Sequence, residues 1–117
     1  MYRIDLNRQT DQGSRTKIDF NHACEVVAMA WGHDLSEVMA RCRRKDLILP
    51  RHLSMYIGYR HCRMTGEQVG LTFGGRDHST VVSSCRVVEN MWRYNKDYRA
   101  KVRGILPLIG IREEVFV

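Results

Sequence analysis

Apolar residues along this chain recur three and four positions apart, the spacing of helices that bury one face and leave the other in water. Phe20, Ala23, Cys24, Val27, Ala28 and Trp31 make such a face, and Gly32 supplies a stop, so a first helix is predicted from about residue 18. Asp34 with Glu37 three residues on has the form of an N-cap and capping box; it leads into Leu35, Val38 and Met39, a short second helix. Pro50 suits the first turn of a third helix running through Leu53, Tyr56, Ile57 and Tyr59 to Cys62, with Gly58 lowering its propensity slightly. Thr65 and Gln68 repeat the capping box ahead of Val69, Leu71 and Phe73, and Gly74-Gly75 ends that fourth helix after barely two turns. Asp77 caps a long fifth helix whose Val81, Cys85, Val88 and Trp92 share one face. After Asn95, the positions Tyr98, Val102, Ile105 and Leu106 predict a last helix, ended by Pro107 and Gly110.

This order gives an all-α domain of five to six helices with frayed ends and essentially no strands. Residues 1–17 read as an N-terminal arm, partly disordered, or one short strand where Tyr2, Ile4 and Leu6 alternate. The folded domain is expected over residues 18–107, and residues 108–117 form a C-terminal tail. A chain of 117 residues holds one hydrophobic core and has no room for a separate cofactor domain. No apolar run approaches the roughly 20 residues that cross a bilayer, and Met1 to Lys17 lacks the apolar stretch of a secretory leader, so a cytoplasmic protein is expected. Cys24, Cys42, Cys62 and Cys85 are widely spaced, without a C-x-x-C pair. They read as reduced thiols, mostly small buried hydrophobes, and no metal is expected. A formal charge of +6 suits an acidic partner such as nucleic acid, although charge alone leaves a solvated basic domain open.

A short capped helix, a glycine turn and a longer capped helix form the layout of a helix-turn-helix, whose second helix lies in the major groove of DNA. Asp77, His78, Ser79 and Thr80 occupy the cap and first turn of that second helix. There Asp can accept from cytosine N4, His can donate to a purine N7 or pack on a thymine methyl, and Ser or Thr can meet base or phosphate. Plain capping explains Asp77 and Thr80 equally well. A second feature is the basic loop Arg41-Cys42-Arg43-Arg44-Lys45, followed by Arg51, Arg60 and Arg63, with Asp46 the one opposing charge over that span. Arginines on a loop can enter a minor groove and those on a helix can bind phosphate, whereas the bland reading is a solvated basic face. Asp77, His78 and Ser79 do not make a hydrolytic triad, because consecutive residues on one helical turn point apart and cannot relay a proton; no enzymatic activity is expected.

The run Val69-Gly70-Leu71-Thr72-Phe73-Gly74-Gly75-Arg76-Asp77-His78-Ser79-Thr80-Val81-Val82, with Ser84 and Arg86 after it and Pro50-Arg51-His52 and Met55-Tyr56 before it, resembles the C-terminal DNA-binding domain of DnaA, the bacterial chromosomal replication initiator. The resemblance extends from about Phe20 to Leu106. It implies the fold of DnaA domain IV, Trp repressor-like, and sequence-specific binding of double-stranded DNA at sites like the DnaA box, in the regulation of replication initiation or transcription. It further implies that Arg43 enters the minor groove while Asp77, His78 and Ser79 read bases in the major groove. Arg51, Thr80 and Val81, the last through its backbone, would hold phosphates; Arg44, Lys45 and Arg76 are expected to do the same. Three positions depart from the family: Tyr59 stands in place of a common lysine, Gly66-Glu67 in place of an apolar-proline pair that can touch thymine, and Ser83 in place of a histidine. No G-x-x-x-x-G-K-[ST] loop occurs, so no nucleotide or other cofactor is expected. With an arm and tail unlike the family's, the chain reads as a free-standing, nucleoid-associated monomer. The competing reading is an adaptor that keeps the fold and binds a protein instead of DNA.

Overall fold

Asp19 starts the first helix in the computed structural model, which describes residues 18–117; its carboxylate accepts from the amide of His22 at 3.3 Å. Helix α1 then spans Phe20–Ala30 and α2 spans Leu35–Met39, where the amide of Asp34 donates to Glu37 Oε1 at 2.9 Å. The basic loop follows, closing in a 3-10 turn at Lys45–Leu47. Helix α3, Ile48–Tyr56, runs on into a π turn at Ile57–His61. Next come α4, Gly66–Thr72, α5, His78–Tyr94, and α6, Lys96–Ile109, before a last 3-10 turn at Glu113–Val115. Six α-helices and no strand among the described residues match the all-helical expectation. The segment expected to be an arm lies outside the described residues.

Local signals set most boundaries, because a cap satisfies orphan amides wherever the rest of the chain goes. Thr65 Oγ1 accepts from Gln68 N at 3.1 Å while Gln68 Oε1 accepts from Thr65 N at 2.9 Å. Asn95 Oδ1 accepts from Tyr98 N at 2.9 Å, separating α5 from α6. Pro107 departs from expectation: it lies within α6, and the helix ends two residues later at Ile109, capped by Gly110 with φ of 80°. Proline removes one amide from the ladder, and here it does so on the exposed side of the last turn.

The left-handed Gly110 turns the chain back onto the domain, so the expected tail is packed instead of frayed. Ile111 N donates to Leu106 O at 3.1 Å, and Ile111 and Phe116 are buried. Phe116 sits between Trp92, at 4.9 Å between ring centroids, and Tyr56, at 5.2 Å. Its carbonyl accepts from Tyr56 Oη at 2.9 Å and His61 Nε2 at 2.8 Å. Together with Ala23, Val27, Leu53, Tyr56, Val88, Val102 and Leu106 it makes the larger half of the core. The smaller half, Cys24, Ala28, Val38, Leu47, Met55, Val69, Phe73 and Val81, lies beneath the helix-turn-helix. Helices α1 and α3 contribute to both halves and so tie the helix-turn-helix to α6. No helix among the described residues is long and apolar enough to cross a membrane.

Candidate nucleic-acid interface

Helix α4, a tight turn and α5 form the helix-turn-helix. The carbonyl of Gly70 gathers the amides of Phe73, Gly75 and Arg76 at 3.2, 3.0 and 2.9 Å. Gly74 and Gly75 have φ of 82° and 79°, a conformation that glycine adopts without steric cost. A Cβ on Gly70 would collide with the carbonyl oxygen of Arg76, so only a bare backbone allows α4 to approach the turn this closely.

Asp77 is the N-cap of α5. Its Oδ1 accepts from the Thr80 amide, the Thr80 hydroxyl and the Ser79 hydroxyl, each at 2.9 Å. These bonds, the backbone one foremost, hold its carboxyl below the usual carboxylate range. His78 and Ser79 follow at the exposed tip, where the first amides of a helix have no intrahelical partner and carry its positive dipole end. The imidazole of His78 lies edge-on to Tyr59, 6.0 Å between centroids and 78° between planes. Ser79 bonds to Asp77, not to His78, so Asp77, His78 and Ser79 do not form a proton relay. Val81 corrects an expectation: its amide donates to Asp77 O at 3.3 Å and its side chain is fully buried, so its backbone is not presented to a phosphate. Both donors of Thr80 are likewise committed to Asp77.

Arg51 brings a second correction. Expected on a phosphate, it is only 4% exposed. Its Nε donates to Val38 O at 2.8 Å and Nη1 to Cys42 O at 2.6 Å. Its Nη2 reaches Ala40 O at 2.7 Å, Glu37 O at 3.0 Å and Cys42 Sγ at 3.0 Å. The loop between α2 and α3 has few backbone bonds of its own, and this buried guanidinium supplies the missing donors. The Cys42 thiol, receiving that bond, has its pKa lowered. Arg76 joins from the turn, donating to Phe73 O at 2.9 Å and Cys42 O at 3.5 Å; partial burial, then Arg51 and Arg41, lower its pKa.

Arg41 completes the link, with Nη1 donating to Gly74 O at 3.0 Å. Sequence reasoning counted it only as one charge of the loop; the signal was the glycine pair, whose bare carbonyls lie open to a side-chain donor. Arg43 and Lys45 are exposed, and among the described residues neither side chain enters a hydrogen bond or ion pair. Arg44 is paired with Asp46 at 2.7 Å and Glu37 at 2.9 Å, solvent-exposed contacts that exchange easily.

Two hollows flank the start of α5. One, of about 330 Å³, is polar and lined by Arg41, Cys42, Arg43, Gly75, Arg76, Asp77 and Thr80. The other, of about 780 Å³, opens toward α4 between Tyr59, Leu71 and His78. Asp77, His78, Ser79 and Thr80 thus share one surface with Arg43 and Arg76, while Arg51 and Val81 lie beneath it.

Comparison with known proteins agrees with this geometry. The family model for the bacterial DnaA protein helix-turn-helix matches residues 21–88. The chain is 33% identical over 78 residues to the chromosomal replication initiator protein DnaA of Mycoplasma capricolum, covering 67% of this chain and 17% of that protein. It is 30% identical over 102 residues to the protein of the same name from Mesoplasma florum, covering 87% and 23%. For that of Porphyromonas gingivalis the values are 24% over 103 residues, 88% and 22%. The chain spans less than a quarter of the length of these relatives.

Proposed function

Because this chain belongs to the bacterial DnaA helix-turn-helix family, we propose that it binds double-stranded DNA sequence-specifically, with the start of α5 in the major groove and Arg43 in the adjacent minor groove. Asp77, His78 and Ser79 read base edges. Arg44, Lys45 and Arg76 meet phosphates, joined by the amides of His78 and Ser79 at the positive end of α5. Arg51 holds the loop that presents Arg43. The site resembles the DnaA box, and occupying it regulates replication initiation or transcription, as a monomer in the cytoplasm at the nucleoid.

One observation carries this reading. Arg41 and Arg76 bond the basic loop to the glycine turn, so the loop and α5 act as one rigid reader of two neighbouring grooves.

Selection of duplexes from a random pool by the purified chain tests it. The expected result is one enriched motif whose binding weakens with salt, the slope of log affinity against log salt being about −0.9 for each phosphate neutralised. A pool that stays random, with no duplex retained, overturns it and leaves a protein-binding adaptor.

A further inference from the structure

Gly66 and Tyr59 lie beside the tip of α5, and both touch His78. Gly66 is buried at the start of α4. Its φ is not among the positive values, so the backbone there does not itself demand glycine. Space does: an added Cβ would clash with His78 Nδ1 and lie 2.7 Å from Cε1 and 2.9 Å from Cγ. The imidazole occupies the volume that a side chain at position 66 would fill. Tyr59 meets the same ring edge-on, and Tyr59 sits in the π turn Ile57–His61, which closes with Cys62 N donating to Ile57 O at 3.0 Å. Such turns displace a residue from the helical track and recur at functional sites.

We infer that Gly66 and Tyr59 fix the pose of the His78 imidazole and thereby set the base preference of the recognition helix. This rests on His78 being a base reader. With Nδ1, Cε1 and Cγ turned to Gly66, the edge carrying Nε2 and Cδ2 is the one left for the groove. An Nε2–H presented there is a single donor; since every base pair carries one purine N7, such a donor distinguishes which strand holds the purine, and so the orientation of the pair. A relative with a side chain at position 66 has no room for this pose, so its histidine approaches the groove along another direction. The chain then prefers a different base pair at that one position of its site while keeping the rest of the footprint.

The test combines motif selection with nuclear magnetic resonance of the histidine ring protons in the full chain. Gly66→Ala leaves the backbone unstrained and evicts the ring. Tyr59→Leu removes the edge-on partner, and Tyr59→Phe keeps it. Gly66→Ala and Tyr59→Leu are expected to change preference at a single base pair by about 2- to 10-fold, the scale of one aromatic contact. They should also shift the His78 ring resonances and leave affinity for scrambled duplex unchanged. Tyr59→Phe should match the parent in all three. If Gly66→Ala and Tyr59→Leu alter neither preference nor resonances while His78→Ala alters preference, the inference fails and the base-reading assignment stands. If His78→Ala leaves preference unchanged, both fall.

Discussion

Arg51 and Arg43 carry the same charge on the same stretch of chain, yet one is sealed in the structure and the other faces solvent. Burial separates them, and a basic run does not show which of its arginines will be enclosed. Arg51→Ala would remove the buried donor to Val38 O and weaken the bonding of Ala40 O and Cys42 O, which keep only the Cys42 amide and Arg76, and an unsatisfied buried acceptor is costly. A loss of about 3 kcal/mol is expected in urea unfolding. Arg51→Lys should recover less than half, since one ammonium cannot span acceptors that a planar fork reaches together. Unchanged stability with a salt slope lower by about one would instead return Arg51 to the phosphates. Asp77 makes a pH prediction. Its carboxyl is held below its ordinary pKa near 4, so its contribution to folding is fully present above that value and is lost as pH falls through the lowered one. Asn caps a helix about as well. Asp77→Asn should therefore keep the fold at neutral pH and flatten the acid limb of a stability profile below about pH 4. It should also change base preference, since an amide both donates and accepts.

At the scale of elements, the helices were legible where their signals are local. The two capping boxes, the cap Asp77 and the glycine stops act within one turn, so residue spacing alone locates α2, α4 and α5. Long-range packing decided what spacing could not. The π turn exists where Gly58 admits Phe20 of α1, a Cβ there lying 2.6 Å from the Phe20 ring. The last residues looked like a tail because Phe116 has no periodic partner near it in sequence; its partners, Tyr56, His61 and Trp92, come from elsewhere. Phe116→Ala should cost about 3 to 5 kcal/mol, as for other large buried aromatics. An unaltered midpoint in thermal unfolding would mean that the segment is only loosely docked. Gly70→Ala should cost about 1 to 3 kcal/mol by overpacking and abolish specific binding, because the turn must open to admit a methyl group.

Across the whole molecule, the excess of cations gains meaning from where it sits. Arg44 is balanced by Asp46 and Glu37, and Arg60 by Glu89 at 3.1 Å, whereas Arg43, beside the start of α5, has no such partner among the described residues. The exposed tip of α5 was legible, because Asp77 to Thr80 follow directly from a cap and a glycine turn. The division between presenting and bracing residues was not, since it depends on which side chains the loop encloses. The central claim is that the tip of α5 reads bases, beyond the charge that would attract any duplex. Anisotropy titrations of the parent chain and His78→Ala, on the selected duplex and on a scrambled one, test it most directly. The account predicts a loss of about 1 to 3 kcal/mol on the selected duplex, roughly 5- to 150-fold, with scrambled binding nearly unchanged. An equal loss on both duplexes would contradict it and leave a binder driven by charge alone.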